Sequence, residues 1–304
     1  MTIIDAQLHE PALARDWSTA DRDARFELML EVELAYMDAV GVDKAVIFAI
    51  EDAWGAWVCD RRPDRFAFVT MITPPGVTGG VPVDDPGFAD LVGACAANPA
   101  CVGLRMMHTL PGRLFAGGAD DAPPWVSDVD MYEPLFQACL AHGLPMFMST
   151  AGALDGPAEV VRRHPDLLLI VDHLGMRQNP TFGQDSPPMR ELPTLLELAA
   201  HPNVHVKLSG VPTLSLEPYP FADLWDGLDQ VIEAFGVQRI MWGSDISRVM
   251  GRAGAIPLAP PGLEYARHTY AEALFYVKHA DRLTAEQKDW LLGRTAATVL
   301  GWGT

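Results

Sequence analysis

What most constrains the fold of this chain is a short apolar run that ends in a polar or charged residue and recurs along the whole sequence. In Arg239-Ile240-Met241-Trp242-Gly243-Ser244-Asp245 the run ends in a carboxylate; Leu167-Leu168-Leu169-Ile170-Val171 enters Asp172-His173-Leu174-Gly175, and Thr2-Ile3-Ile4 leads to Asp5-Ala6-Gln7-Leu8-His9. Apolar runs this short read as buried strands, and a charge left at the exit of a buried strand needs a reason. Strand segments are predicted at 2–7, 44–50, 66–72, 101–107, 145–150, 167–173, 204–209 and 240–245. Helical periodicity fills the gaps, at 19–40, 51–62, 86–98, 131–143, 156–163, 190–201 and 221–235, with closing helices at 263–280 and 285–300. Eight strands alternating with helices, with polar strand exits, predict a closed (β/α)8 TIM barrel whose active site lies at the strand C-termini.

Loop lengths agree. Helix-to-strand connections are terse, as at Pro99-Ala100 and Pro202-Asn203, whereas strand-to-helix connections (73–85, 108–130, 176–189, 210–220 and 246–262) are long and rich in Pro and Gly. Long loops therefore gather on the C-terminal face. An open doubly wound sheet is the competing architecture, but it does not require eight evenly spaced strands. With no repeat, low-complexity tract or linker, residues 1–304 are expected to form one domain.

The formal net charge of −18 argues against nucleic acid or an anionic membrane as partner, and leaves a small-molecule substrate. A homo-oligomer stays open. Cys59, Cys95, Cys101 and Cys139 have no CxxC spacing and are expected to be reduced thiols, although Cys95 and Cys101 could pair. Asp5, His9 and Glu10 interrupt any signal-like apolar start, and no run reaches the roughly 20 apolar residues of a membrane span. A cytoplasmic protein is the expectation.

With the strands so placed, one rim collects Asp5, Gln7, His9, Arg105, His108, Ser149, Thr150, His173, Lys207, Ser209, Ser244 and Asp245. Convergence of His, Arg, Lys and Asp is hard to explain as packing. Each keeps a competing reading: Asp245 as the cap of a turn, His173 as a core imidazole, His9 as an exposed loop residue. Of Asp172 and His173, period-two alternation allows only one to point inward. An unpaired Arg105 inside an apolar strand would be very costly, so it must meet a buried carboxylate, with Asp5 one candidate, or an anionic ligand; Lys207 admits the same readings.

The stretches around Asp5 to His9, Asp172-His173-Leu174-Gly175 and Met241 to Asp245, with the closing Leu292-Gly293-Arg294-Thr295-Ala296-Ala297, resemble the amidohydrolase superfamily, in its branch of small lactonases, decarboxylases and hydratases. The resemblance spans essentially the whole chain and implies a barrel with hydrolytic or lyase chemistry. It departs from the pattern where a His-x-His metal pair would end the first strand, since the chain has Gln7-Leu8-His9, and where a histidine would end the fifth, since the chain offers Ser149 or Thr150. His9, His173 and Asp245 could still hold one zinc ion. The favoured expectation is no cofactor.

Without a metal to acidify water, a general base needs a reactive electrophile, and lactones or activated esters meet that need better than amides. Asp245 is expected to deprotonate water, with His173 and His9 or Arg105 stabilising the oxyanion. Gln7 and Ser149 would contact the substrate, Lys207, Arg248 and Arg105 would hold a carboxylate or phenolate on an aromatic or carboxylated lactone, and Trp54, Trp57, Trp125 and Tyr219 would form an aromatic wall. The alternatives are a zinc-dependent decarboxylase or hydrolase, and a non-catalytic small-molecule binding barrel.

Overall fold

The computed structural model describes residues 1–11, 21–48, 52–77, 80–111, 124–178, 182–183, 185–245 and 268–302. Among them, eight parallel strands pair in chain order: β1 (Ile4–Leu8), β2 (Lys44–Ile47), β3 (Phe66–Thr73), β4 (Cys101–Met107), β5 (Met146–Ser149), β6 (Leu169–Val171), β7 (Val204–Ser209) and β8 (Ile240–Gly243). The Asp245 amide donates to Gln7 O at 2.9 Å and the Ser244 amide to Asp5 Oδ1 at 2.8 Å, which brings β8 back against β1. The predicted (β/α)8 barrel is thus the observed fold.

Strand alternation sorts the side chains. Ile4, Ala6, Val46, Phe48, Ala67, Val69, Val102, Phe147, Ile170 and Met241 fill the lumen together with Ala296, Leu300 and Trp302 from the last turns of the chain. Their strand neighbours, such as Leu8, Ile47, Leu104, Met146, Val171, Val206 and Trp242, pack outward against the helices. Both faces are apolar, as strands of a parallel barrel require.

Two bulges change that phase where function begins. In β1 the register runs from Asp5 opposite Ala45 to Leu8 opposite Ile47, one residue more than on β2. Gln7 therefore follows Ala6 into the lumen, two residues before His9. In β4 the register jumps from Cys101 opposite Phe68 to Leu104 opposite Thr70, so Val102 and Arg105 share the interior. Gly103 sits at that jump, where a Cβ would lie 2.7 Å from both the Phe147 ring and Pro145 O.

Among the described residues the helices are α1 (Arg22–Val40), α2 (Asp52–Arg61), α3 (Phe88–Ala97), α4 (Glu133–His142), α5 (Asp155–Arg163), α6 (Leu192–Glu197), α7 (Trp225–Phe235), α8 (Tyr270–Lys278), α9 (Ala285–Asp289) and α10 (Thr295–Val299). Several predicted spans are broken. The segment 190–201 holds α6 followed by a 3-10 turn at Leu198–Ala200, and 285–300 is interrupted by a π turn at Trp290–Arg294. The sixth strand stops at Val171 instead of running to residue 173. Within the predicted loops lie short strands, Val81–Pro82 on β3 and an antiparallel pair of Thr109–Leu110 with Trp125–Val126. None of the four cysteines forms a disulfide, and all four are buried. No helix among the described residues is long and apolar enough to cross a membrane.

Candidate active site

The site starts where β6 ends. Asp172 continues the strand inward, and the chain then turns through His173 and Leu174, both at φ 55°. Left-handed backbone at a non-glycine residue costs of order 1–3 kcal/mol and persists only where surrounding contacts enforce it. The turn delivers Asp172 and His173 to the same interior, so the expectation that only one of them points inward is corrected. Asp245, past the end of β8, is held the same way at φ 52°.

Asp172 is the centre of a buried ionic layer. Arg105 Nε donates to its Oδ2 at 2.7 Å and Lys207 Nζ lies 2.8 Å from its Oδ1, with all three side chains nearly or wholly inaccessible. Burial alone would raise the Asp172 pKa, but the two cations outweigh burial and hold the carboxyl well below the usual carboxylate range. Burial brings the Lys207 ammonium down to about 8. Phe48 and Phe147 pack edge to face, with Lys207 Nζ 3.9 Å and 4.8 Å from their ring centres and Arg105 5.3 Å from that of Phe48. Two expectations change here. Asp5 is not the partner of Arg105, because it accepts from the Gln7 and Ser244 amides and the Tyr270 hydroxyl. Lys207 is not open to a substrate carboxylate, because Asp172 and Gln7 surround its buried head.

Gln7 links this layer to the strand exits. Its Oε1 accepts from Lys207 Nζ at 2.6 Å, which turns the amide nitrogen toward Asp245 Oδ1 at 3.2 Å and His173 Nε2 at 3.4 Å. His173 Nδ1 lies 3.1 Å from Ser209 O and 2.9 Å from Ser209 Oγ. A carbonyl oxygen only accepts, so Nδ1 carries the proton and Nε2 is the lone pair that receives the Gln7 amide. Asp245 is fully buried; its Oδ1 lies 2.9 Å from His9 Nε2, and its Oδ2 accepts from Gln178 Nε2 at 3.4 Å and lies 3.8 Å from His173 Nδ1. His9 Nδ1 donates to Phe48 O at 2.5 Å. Its Nε2 makes no well-aligned hydrogen bond, although Asp245 Oδ1 lies 2.9 Å away. Two bare lone pairs 2.9 Å apart would repel, so a proton belongs to the His9–Asp245 pair. Gly210, at φ 62°, makes room: a Cβ there would lie 2.1 Å from Gln178 Nε2 and 3.0 Å from Asp245 Oδ2.

The structure therefore brings Gln7, His9, Arg105, His173, Lys207 and Asp245 into one connected network. Ser149 is buried at the end of β5, and among the described residues its side chain has no hydrogen bond to the network. Trp54 is a correction: it is fully buried, its Nε1 donates to Phe26 O, and it packs between α2 and α1 in the outer core, while Trp57 stands edge-on to Phe26. Tyr219 lines a separate surface groove with Trp225, Phe275 and Arg282. Arg248 lies outside the described residues. His108, one of the residues assigned to the rim, is buried against Ser127 Oγ at 3.0 Å. Sequence reasoning missed Gln178, which lies in an irregular loop with no motif, and the hub role of Asp172, whose only signal was a second acid beside His173.

A resident metal fits this donor set poorly. The Gln7 amide points N–H donors at the Asp245 and His173 atoms that would have to turn lone pairs toward an ion, and the Lys207 ammonium holds it in that orientation. Among the described residues no group of three or more His, Cys, Asp or Glu is arranged to hold a metal.

The chain is 35% identical over 175 residues to an L-fucono-1,5-lactonase of Burkholderia ambifaria, covering 54% of this chain and 52% of that one. A second L-fucono-1,5-lactonase, of Burkholderia multivorans, is 32% identical over 141 residues, covering 44% and 43%. The match thus spans about half the length of these relatives. A solved amidohydrolase of Burkholderia multivorans with bound zinc superposes with a TM-score of 0.66 at 21% identity and full coverage of both chains, which speaks for the fold. The amidohydrolase family profile matches residues 4–302, and the chain belongs to that family.

Proposed function

We propose that the protein is a lactonase-type hydrolase that opens a small, neutral, polar lactone of the sugar-lactone class, without a metal and with Asp245 as general base. One observation carries this reading: a fully buried carboxylate, held on left-handed backbone at a strand exit, lies 2.9 Å from an imidazole nitrogen that has no hydrogen bond of its own. Such a pair suits proton transfer to and from a bound electrophile. The relatives named as lactonases support the substrate class. Arg105 and Lys207 are both engaged by Asp172, which removes two of the three cations expected to grip a substrate carboxylate and favours an uncharged lactone.

The steps use groups present in the chain. Water attacks the lactone carbonyl carbon, the new C–O bond forms as Asp245 takes the water proton, and the carbonyl electrons move onto oxygen. When the tetrahedral intermediate collapses, the ring C–O bond breaks and the leaving alkoxide takes a proton from His9. The proton on Asp245 then returns to His9, which restores the pair. The ring-opened hydroxy acid releases its carboxyl proton to solvent.

A pH-indicator assay against a panel of 1,4- and 1,5-aldonolactones and aromatic lactones, on chelator-dialysed protein, tests this. Turnover of aldonolactones is expected, with Asp245→Asn lowering kcat by about 1,000-fold. Normal activity in Asp245→Asn would remove the base. Activity that vanishes on dialysis and returns with zinc would replace the metal-free reading by the zinc-dependent one, and a ligand bound for hours unchanged would point to a binding barrel.

A further inference from the structure

We infer that Lys207 is a positioning residue that sets the polarity of the active site through Gln7: its ammonium fixes which end of the Gln7 amide faces Asp245 and His173, in the orientation that only the Nδ1-protonated tautomer of His173 can accept.

The argument is one of donors and acceptors. A lysine ammonium has three donors and no acceptor, so the Gln7 atom 2.6 Å from Lys207 Nζ must be oxygen. The amide nitrogen then has to face the other way, where the Asp245 carboxylate and His173 Nε2 both present lone pairs. The reverse amide would set its oxygen against the Asp245 carboxylate at 3.2 Å. Ser209 O completes the chain by claiming the Nδ1 proton of His173. The Gln7 contacts that join β7 to the exits of β6 and β8 thus follow from where one cation sits.

Everything packed around Lys207 fits this task and leaves no room for a ligand. Asp172, just past β6, faces it with Arg105 from β4 on the far side of the carboxylate, Gln7 from β1 accepts from it, the Asp245 charge just past β8 acts on it, and the Phe48 and Phe147 rings, just past β2 and on β5, lie against it. Arg105, Asp172 and Lys207 together leave one positive charge buried in the lumen, the sign that a metal would bring. Aimed through a neutral amide, that charge strengthens the Gln7 N–H donors facing the catalytic carboxylate.

Two measurements test the inference. The first uses the unaltered protein without substrate: the 15N shifts of His173, assigned by comparison with His173→Asn, should show a neutral ring protonated at Nδ1. A neutral ring protonated at Nε2 overturns the inference. The second compares the double variant Lys207→Met with Asp172→Asn, which keeps the net charge of the lumen on Arg105, with Lys207→Arg, which keeps a donor toward Gln7. The double variant is expected to lose about 100-fold in kcat with KM changed little, and Lys207→Arg to recover part of that loss. Unchanged kcat in a folded double variant, or equal losses in both, would show that only charge or packing matters. The kinetic arm rests on the proposed hydrolysis, but the NMR arm does not, so failure of the lactone reading and failure of the Lys207 reading are told apart.

Discussion

Asp5 makes the acid response of this fold predictable. It is wholly buried behind the site, accepting from the Gln7 amide at 3.1 Å, the Ser244 amide at 2.8 Å and the Tyr270 hydroxyl at 2.8 Å. Burial raises its pKa from 3.8 to about 6, against the pull of those three donors. The sign follows from which state gives up its proton first. Below pH 4 the carboxyl is protonated in both folded and unfolded chains, and its full contribution to stability is present. As pH rises toward 6 the unfolded chain ionises first, unfolding releases a proton, and that contribution is lost. The loss amounts to at most about 3 kcal/mol. Asp5→Asn keeps an oxygen for the two amides and carries no such proton. Relative to the unaltered protein, the variant should therefore gain about 3 kcal/mol, or roughly 5 °C in Tm, between pH 4 and pH 7. Glu33, buried on α1 and also pushed well upward by burial with Asp5 and Glu10 nearby, titrates in the same direction and leaves a residual slope in the variant. The assay is thermal unfolding of both proteins across that range, followed by circular dichroism. A difference in Tm that does not change with pH would refute the argument, because it would mean that the donors keep Asp5 ionised throughout.

Two further substitutions separate packing from chemistry. Trp54→Ala should lower stability by about 3–5 kcal/mol, read from urea midpoints, while the KM of the surviving folded enzyme stays near its original value, since the side chain is sealed between α2 and α1. Gly103→Ala should cost about 1–3 kcal/mol, because the new methyl meets the Phe147 ring and Pro145 O at 2.7 Å, and a repacked Phe147 should disturb the Lys207 shelf and lower kcat as well.

Much of this was legible in the chain itself. Apolar runs of strand length, polar exits and one-sided long loops determine a closed barrel and its functional face, because burial on both sides of a parallel strand demands continuous apolar residues and the exceptions cluster at one end. The same logic marked Gln7, His9, His173 and Asp245, which the structure joins. What the linear pattern misjudged depends on phase. A bulge in β1 and another in β4 shift alternation by one residue, and three positive-φ residues, His173, Leu174 and Asp245, turn side chains against the period of two. Neither device has a reliable signature in residue type. Pairing was hidden for a second reason: Arg105 and Lys207 could be seen to need an anion, but their choice of Asp172 over Asp5 is set by distances across the lumen, 67 residues apart in one case. Gln178 reaches Asp245 from a loop whose sequence says nothing about where it goes. Sequence alone determined which face of the barrel is polar and marked the strand-exit residues there; tertiary structure alone decided which of them touch and which loop residue joins them, since hydrogen bonds and ion pairs are made at separations that only the closed barrel sets.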